Sequence, residues 1–225
     1  MRVARATSLR ALVVLVAAST LACGDPHVSL ATGPREYVAG DYSDVLQRWT
    51  RTSNLVSLSR FDDLLTVTST YESWDFRWAY VIRYANDYRL TVDQRRKLLQ
   101  ATLDETREAH QFYVALYGSN RRWTDLTKPN SSWIVRLIDD QGNETAPAKI
   151  DAIAKPGALE RTYFPYTTPW RQAFRVRFPA QTDGRPSISM TAKWFGLRFA
   201  GAEGNEELRW EVESAAKGAA GELRR

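Results

Sequence analysis

The sequence predicts a mostly β, α+β protein: an antiparallel immunoglobulin-like β-sandwich with an inserted two-helix hairpin. About seven short segments alternate apolar and polar residues, a pattern typical of half-buried strands. Proline and glycine turns separate these segments, as they do in antiparallel sandwiches. A helical period of three to four residues interrupts the series once, at about 74–109. A parallel βαβ fold is not expected, because its helices and strands would alternate.

The strands are predicted from their period of two. The first lies at Leu64–Tyr71, where β-branched residues are frequent and alternate positions from Leu65 to Tyr71 share one side. The residues before it, 42–60, have a mixed pattern that fits one turn of helix or irregular chain. The remaining strands are predicted at 112–117, 133–138, 174–178, 188–190, 194–199 and 208–212.

Two helices are predicted between the first and second strands. The first has an apolar stripe at spacings of three and four, formed by Trp74, Trp78, Val81, Ile82, Ala85 and Tyr88. Thr91 and Gln94 have the spacing of a capping box, which predicts the start of a second helix that runs to about Ala109. This second helix is more polar, with Leu99 and Leu103 directed inward, so we expect it on the outside of the domain.

Residues 1–22 have the composition of an export signal. Three arginines precede the uncharged apolar run Ala11–Leu21, whose 11 residues are fewer than the roughly 20 that a membrane-spanning helix takes. The motif Thr20-Leu21-Ala22-Cys23 resembles the lipobox of bacterial lipoproteins. The resemblance covers only the first two dozen residues. It departs from the usual pattern because Thr20, rather than leucine, stands three residues before the cysteine.

The resemblance implies that a diacylglycerol is attached to Cys23, that the signal is cut before it, and that the new amine is acylated. The alternative is an ordinary signal that leaves Cys23, the only cysteine, as a free thiol. In the lipoprotein class, an aspartate directly after the cysteine favours retention in the inner membrane. Gly24 stands at this position here, so the resemblance implies the outer membrane, with the domain facing the periplasm. Residues 23–41 are predicted to be a flexible tether.

The charge balance gives no argument for a nucleic-acid partner, and none is expected. The net charge is +5, but three arginines leave with the signal, so the mature chain has 28 basic against 26 acidic residues. The charged tail at 215–225 carries the remaining excess and is predicted to be disordered. Residues 23–214 balance at 25 basic against 25 acidic residues. The length of the chain suits a single domain, which is expected at 42–214.

The sequence offers no standard catalytic motif and no cofactor motif, so we predict that the protein is not an enzyme. Its two histidines are His27, in the tether, and His110, which we expect to be a cap or a surface residue. They are too few for a usual zinc site. Asp139–Asn143 fits a turn better than a calcium loop, because the ligand spacing is absent. A glycosidase that uses two distant carboxylates stays an alternative.

Aromatic residues provide the candidate binding site. The segment Tyr163–Trp170 places four rings and two prolines in a predicted loop, and Tyr163, Tyr166 and Trp170 are the candidate ligand-binding residues. The alternative is that these rings fold back as a hydrophobic plug.

We therefore expect a non-catalytic binding or scaffolding domain, held at the membrane through Cys23, with other envelope proteins or glycan as partners. The alternatives are carbohydrate binding or processing, which requires two or more exposed coplanar rings, and transport of apolar cargo, which requires an open apolar cavity.

Overall fold

A computed structural model describes residues 26–57, 62–118 and 120–213. For Asp62, it describes the backbone only. The predicted signal, Cys23 and the tail at 215–225 lie outside these ranges. Of the described residues, 26% are helical and 38% are in strands, and the sheets are antiparallel, which confirms the mostly β, α+β class. Within the described ranges, each helix falls short of the length and apolar composition that crossing a bilayer requires.

Helices and strands are interspersed along the chain. The helices are α1 (Tyr42–Trp49), α2 (Trp74–Asp87), α3 (Val92–Glu108) and α4 (Ala158–Tyr163), with a short 3-10 helix at Ala39–Asp41. The strands are β1 (Thr50–Ser57), β2 (Asp62–Tyr71), β3 (Ala109–Tyr117), β4 (Ile134–Asp139), β5 (Glu144–Thr145), β6 (Lys149–Ile153), β7 (Gln172–Pro179), β8 (Gln181–Thr182), β9 (Arg185–Pro186), β10 (Trp194–Gly201) and β11 (Gly204–Glu211).

Two antiparallel sheets carry most of these strands. The first has the order β1-β2-β3-β7-β6, the second has the order β11-β10-β4-β5, and β8 pairs with β9 in a small ribbon. The sheets meet where β1 lies beside β11: Arg51 donates from Nε to the Arg209 carbonyl oxygen at 2.9 Å, and Trp210 donates from Nε1 to the Trp49 carbonyl oxygen at 2.9 Å.

Aromatic rings from both sheets form a shared core. Phe195 of β10 stacks on Trp210 of β11 with the ring planes 8° apart, and it also contacts Tyr71 of β2 at a centroid distance of 5.1 Å. Phe112 of β3 lies 5.6 Å from Trp210. Because alternate residues of a strand point to opposite faces, the period of two places these rings between the sheets. Burial of each such side chain contributes about 2–3 kcal/mol.

Helices cover the opposite face of the first sheet. Tyr113, next to Phe112 in β3, points to this face and stacks on Phe164 at the end of α4. Phe164 in turn lies 6.0 Å from Phe76 of α2. The predicted helix starts are confirmed, because Ser73 accepts a hydrogen bond from the Phe76 amide and Thr91 forms a capping box with Gln94. Of α3, Leu103 is buried, as expected of an outer helix.

One predicted strand is wrong and several strands were not predicted. Residues 188–190 form no strand; the Ala192 amide donates to the Ser189 carbonyl oxygen, which makes a turn, and Met190 is 95% exposed. Strands β1 and β6 are edge strands whose exposed polar residues hide the alternation. An edge strand needs little apolar surface, because only one of its sides is paired.

The segment predicted to be a tether lies along the domain. Val28 is fully buried and forms a parallel bridge with Val212. Its amide donates to the Glu211 carbonyl oxygen at 2.7 Å, and its carbonyl oxygen accepts from the Glu213 amide at 2.9 Å. The N-terminal segment therefore extends the second sheet beyond the end of β11.

Asp75, in the first turn of α2, holds the same segment at a second point. Its carboxylate accepts hydrogen bonds from Tyr37 at 2.6 Å, Trp49 at 2.9 Å, Arg35 at 3.0 Å and Arg48 at 3.3 Å. Burial acts to raise the pKa of Asp75, but these bonds and the positive charges together hold it below its usual range. Asp75 is thus a charged centre of the fold that joins the N-terminal segment to α1 and α2.

Candidate functional site

The connection between β6 and β7, residues 154–171, builds one wall of a cleft. After Ile153 the chain turns into α4, where the Glu160 carboxylate accepts a hydrogen bond from the Gly157 amide at 2.7 Å. The chain then returns through a turn that the Arg171 amide closes by donating to the Thr168 carbonyl oxygen at 3.2 Å. Pro169 lies inside this turn, where its fixed φ suits the geometry.

The loop after β3 builds the facing wall. Arg121 donates from Nη1 to the Pro169 carbonyl oxygen at 3.3 Å, and Thr124 donates from Oγ1 to Gln172 Oε1 at 2.6 Å. Between the two walls lies a cleft with a volume of about 560 Å³. These two hydrogen bonds join the walls and fix the distance between them.

The cleft is strongly cationic. Four of its lining residues are basic, Arg121, Lys155, Arg161 and Arg171, and one is acidic, Asp125. Among the described ranges, none of the four basic side chains forms an ion pair. The Asp125 carboxylate is bonded locally, because its Oδ1 accepts from the amide and hydroxyl of Thr127.

Arg171 is the most enclosed of the four cations. It is half-buried, and its Nη1 donates to Thr68 Oγ1 of β2 at 2.8 Å. Burial lowers the pKa of Arg171. A guanidinium that has lost part of its hydration interacts more strongly with a bound anion than one in open water, because the effective dielectric constant is lower. Arg171 is therefore the residue that most favours an anionic ligand.

The structure separates the three predicted ligand-binding residues. Tyr163 is buried: its carbonyl oxygen accepts from the Tyr42 hydroxyl at 2.6 Å, and its own hydroxyl donates to Asp87 Oδ2 at 3.0 Å. The Tyr166 hydroxyl is hydrogen-bonded to Thr70 Oγ1 at 2.6 Å. Tyr163 and Tyr166 thus pack back onto the protein, as in the alternative of a hydrophobic plug. Trp170, in contrast, is 75% exposed.

Two exposed rings belong to the segments that line the cleft. Trp170 lies between the lining residues Pro169 and Arg171, at the tip of the turn. Trp123, 57% exposed, lies in the facing loop between Arg121 and Asp125. The cleft therefore combines cationic walls with aromatic side chains that are open to solvent.

Sequence reasoning missed the four cations, because they are spread over 51 positions from Arg121 to Arg171. The balanced net charge of the domain hides their local concentration. One local signal exists: residues 161–182 contain four arginines and no acidic residue. Such a stretch in an otherwise balanced domain indicates a basic surface.

His110 is the second residue of β3 and is partly buried, so it is not the helix cap that was one of the two expectations. Its Nδ1 lies 2.8 Å from the Tyr71 hydroxyl, and burial lowers the pKa of His110 to about 4. The Asp139–Asn143 segment is a turn, as predicted, closed by the Gly142 amide on the Asp139 carbonyl oxygen. Across the described ranges, no group of three or more His, Cys, Asp or Glu side chains is placed to hold a metal ion.

Comparisons of the chain with known protein families, with curated proteins and with solved structures find no match. The candidate site is therefore defined by its geometry and charge alone.

Proposed function

We propose that this protein is a lipid-anchored envelope protein whose domain binds an anionic ligand, without catalysis, in the basic cleft. One observation carries the binding proposal: four cationic side chains share one cleft, and none of them forms an ion pair with a described acidic residue. A cleft of about 560 Å³ falls within the usual range for small-molecule sites.

The chemistry of the cations suits phosphate or carboxylate groups. A guanidinium offers planar, paired N–H donors that match two oxygens of such a group, and Arg121, Arg161 and Arg171 supply three of them. Lys155 adds a compact charge on a flexible stem. Arg171 is half-buried and binds the ligand at short range, whereas the three exposed cations also attract it over a longer range.

Binding of glucose 6-phosphate, with glucose as the neutral control, tests the proposal. The phosphorylated sugar is expected to bind measurably by calorimetry and glucose to bind at least tenfold more weakly. Arg171→Gln and Lys155→Gln should each weaken binding about tenfold, the usual effect of losing one charge-assisted contact. Arg95→Gln, an exposed arginine on α3, should have no effect. Equal binding by all three variants and the parent would contradict a site in the cleft.

The anchor is the second part of the proposal. The lipobox-like motif that ends at Cys23 supports acylation, and each buried methylene of an acyl chain contributes about 0.8 kcal/mol, so two or three chains hold a protein durably. Gly24 after the cysteine supports placement at the outer membrane, facing the periplasm. Cys23→Ser should release the protein from membrane fractions, and intact-mass measurement of the parent protein should show the acyl chains.

A glycan ligand is the second candidate function, and the exposed rings of Trp123 and Trp170 favour it. Rings that are open to solvent can stack on sugars. Trp170→Ala should then weaken binding of a neutral oligosaccharide, which the charge variants would leave unchanged. The cationic lining differs from the open apolar cavity that a carrier of apolar cargo requires.

We also propose the finer fold assignment, an immunoglobulin-like sandwich with an inserted helical hairpin. Two antiparallel sheets with a shared aromatic core, and two helices placed between β2 and β3, support it. An experimental structure tests this assignment: sheets that pack with mean strand directions about 30° apart would support it, and orthogonal sheets would contradict it.

A further inference from the structure

We infer that the end of the domain around the basic cleft binds the surface of a bilayer that contains anionic lipids. The cleft and the cations beside it contact lipid phosphates, and the exposed rings of this end enter the headgroup region. The inference rests on the anionic-ligand site proposed above and names its ligand class, the phosphate group of a membrane lipid. The exposed apolar side chains, the unpaired cations and the direction of the N-terminal segment support it.

The cleft lies at the same end of the strands as the β10–β11 hairpin. Through the register of β3 and β2, Phe174 of β7 lies in one row with Arg51 of β1. From this row, β7 leads back to Gln172 and the cleft, and the same direction along β1 leads to Leu55. Leu55 lies against the start of β11, since a methyl group at Gly204 would be 3.1 Å from its side chain. We call this end, with the start of β7, the end of β3 and the hairpin, the cleft end.

Exposed apolar side chains are concentrated at the cleft end. Of the nine large apolar side chains that the described ranges expose, five lie here: Val56, Tyr117, Trp123, Ile134 and Trp170. Val56 and Tyr117 lie near the ends of β1 and β3, and Ile134 starts β4 beside the hairpin. Tryptophan and tyrosine favour the headgroup level of a bilayer, because their rings are apolar and carry one polar group.

The loops that carry the two tryptophans are held in place. The Trp123 carbonyl oxygen accepts a hydrogen bond from the Ser132 amide at 2.7 Å. Arg121, in the same loop, donates to the carbonyl oxygen of Pro169, the residue before Trp170. Both rings therefore belong to ordered segments, and binding to a surface requires little further ordering of the chain.

Cations surround these rings on the side of the cleft. Arg122 and Lys128 are exposed in the loop that carries Trp123, and within the described ranges neither forms an ion pair. They add to the four unpaired cations that line the cleft. Anionic headgroups attract basic side chains near the surface of a bilayer. The cleft end thus combines the two features of interfacial binding, apolar insertion and charge attraction.

The N-terminal segment runs toward the cleft end. Val28 forms a parallel bridge with the strand that ends at Glu211, and Arg51 donates to the carbonyl oxygens of both Pro26 and Arg209. From Val28 back to Pro26, the chain therefore follows β11 toward the hairpin. This direction suits a contact of the cleft end with the membrane to which the proposed lipid would attach the chain.

Vesicle binding by the mature chain with Cys23→Ser tests the surface without the acyl chains. Co-sedimentation at low ionic strength compares vesicles of phosphatidylcholine and phosphatidylglycerol with vesicles of phosphatidylcholine alone. Binding is expected to be at least tenfold stronger to the anionic vesicles and to be lost at high salt, which screens exposed charges. Salt-washed membrane fractions therefore report on the anchor alone.

Two pairs of charge variants locate the contact. Arg122→Gln combined with Lys128→Gln should weaken binding to the anionic vesicles about twentyfold, about fivefold for each cation removed. Arg185→Gln combined with Lys193→Gln is the matched control, since it removes two exposed cations that follow the end of β7 and precede the start of β10. These lie at the opposite end, so the control pair should change binding less than twofold.

A pair of apolar variants tests insertion. Trp123→Ala should weaken binding to the anionic vesicles at least fivefold, and Met190→Ala, a 95% exposed residue before β10, should leave it unchanged. Thermal unfolding of every variant checks that the domain is folded. Equal effects of the two variants, or of the two charge pairs, would overturn the membrane surface.

Glucose 6-phosphate separates this inference from the site proposed in the cleft. Protein that binds glucose 6-phosphate but neither kind of vesicle, or both kinds equally, overturns the membrane surface and leaves the cleft site in place. Vesicle binding with the expected variant pattern, but without binding of glucose 6-phosphate, supports the membrane surface and contradicts a site for small anions. Protein that binds neither probe overturns both proposals.

Discussion

The ring of Tyr113 lies 3.9 Å from the ring of Phe164, and the two planes are only 2° from parallel. Tyr113 belongs to β3, and Phe164 follows α4 in the connection that builds the cleft. The Tyr113 hydroxyl is also hydrogen-bonded to Oγ1 of Thr167, a cleft residue, at 2.9 Å. This stack attaches the cleft wall to the first sheet, so the shape of the cleft depends on it.

Replacement of Phe164 tests the dependence of the cleft on this stack. Phe164→Ala should lower the free energy of unfolding by about 4 kcal/mol, because it leaves a cavity beside Tyr113, and Phe164→Leu should cost about 1–2 kcal/mol. Both variants should weaken binding of glucose 6-phosphate while all four cations remain. Urea denaturation and calorimetry measure the two effects. Thr162→Ala, an exposed change in α4, serves as the control and should lie within about 0.5 kcal/mol of the parent.

Asp75→Asn should destabilise the fold by about 3 kcal/mol. The amide has one acceptor oxygen where the carboxylate has two, and it leaves Arg35 and Arg48 without their negative partner. Urea denaturation gives the difference, and hydrogen exchange should show faster exchange in residues 26–41. The comparison variant is Asp93→Asn in α3, whose side chain is 83% exposed. Equal stability of the two variants would show that Asp75 does not hold the N-terminal segment.

Stability should decrease as the pH falls from 7 to 5. The pKa of His110 is about 4 in the folded protein and about 6.5 in the unfolded chain, so between these values the unfolded state binds the extra proton. Stability therefore rises with pH across this window, and the loss at pH 5.0 relative to pH 7.0 should be about 2 kcal/mol. Urea denaturation at both values measures it. His110→Gln should remove most of the difference; an unchanged difference would assign it to other groups.

Gly196→Ala should destabilise the second sheet. Gly196 is buried in β10, between Ile138 of β4 and Arg209 of β11, and an added methyl group would overlap the Leu208 carbonyl oxygen. The strands would have to separate, at a cost of about 2–3 kcal/mol. Gly40→Ala is the matched control, because a methyl group there meets no atom within 4 Å. Thermal unfolding of the two variants should therefore differ by several degrees.

The sequence predicted those elements whose burial leaves a periodic pattern. In β7, the three apolar residues Phe174, Val176 and Phe178 are buried, while Arg175 and Arg177 are only partly buried, and the alternation is clear. The stripe of α2 and the capping box of α3 were equally visible. Strands β1 and β6 were missed because an edge strand is set by pairing with its neighbour, and its own residues need not alternate.

The candidate site was predicted only in part, for a related reason. The loop that contains Trp170 was selected for its rings, and it does line the cleft. Tyr163 and Tyr166 instead serve packing, because their partners, Asp87 and Thr70, come from distant parts of the chain. Long-range contacts leave no local pattern. The cations of the cleft became visible as one group only after folding joined two loops.

The bridge between Val28 and Val212 brings the first and last parts of the described chain side by side. When the ends of a domain adjoin, a short linker can connect them and new ends can be opened at an exposed loop. In a circular permutant of this kind, the attachment point proposed for the lipid can be moved to any exposed loop. The same domain can then be mounted on a vesicle with the cleft turned toward or away from the surface.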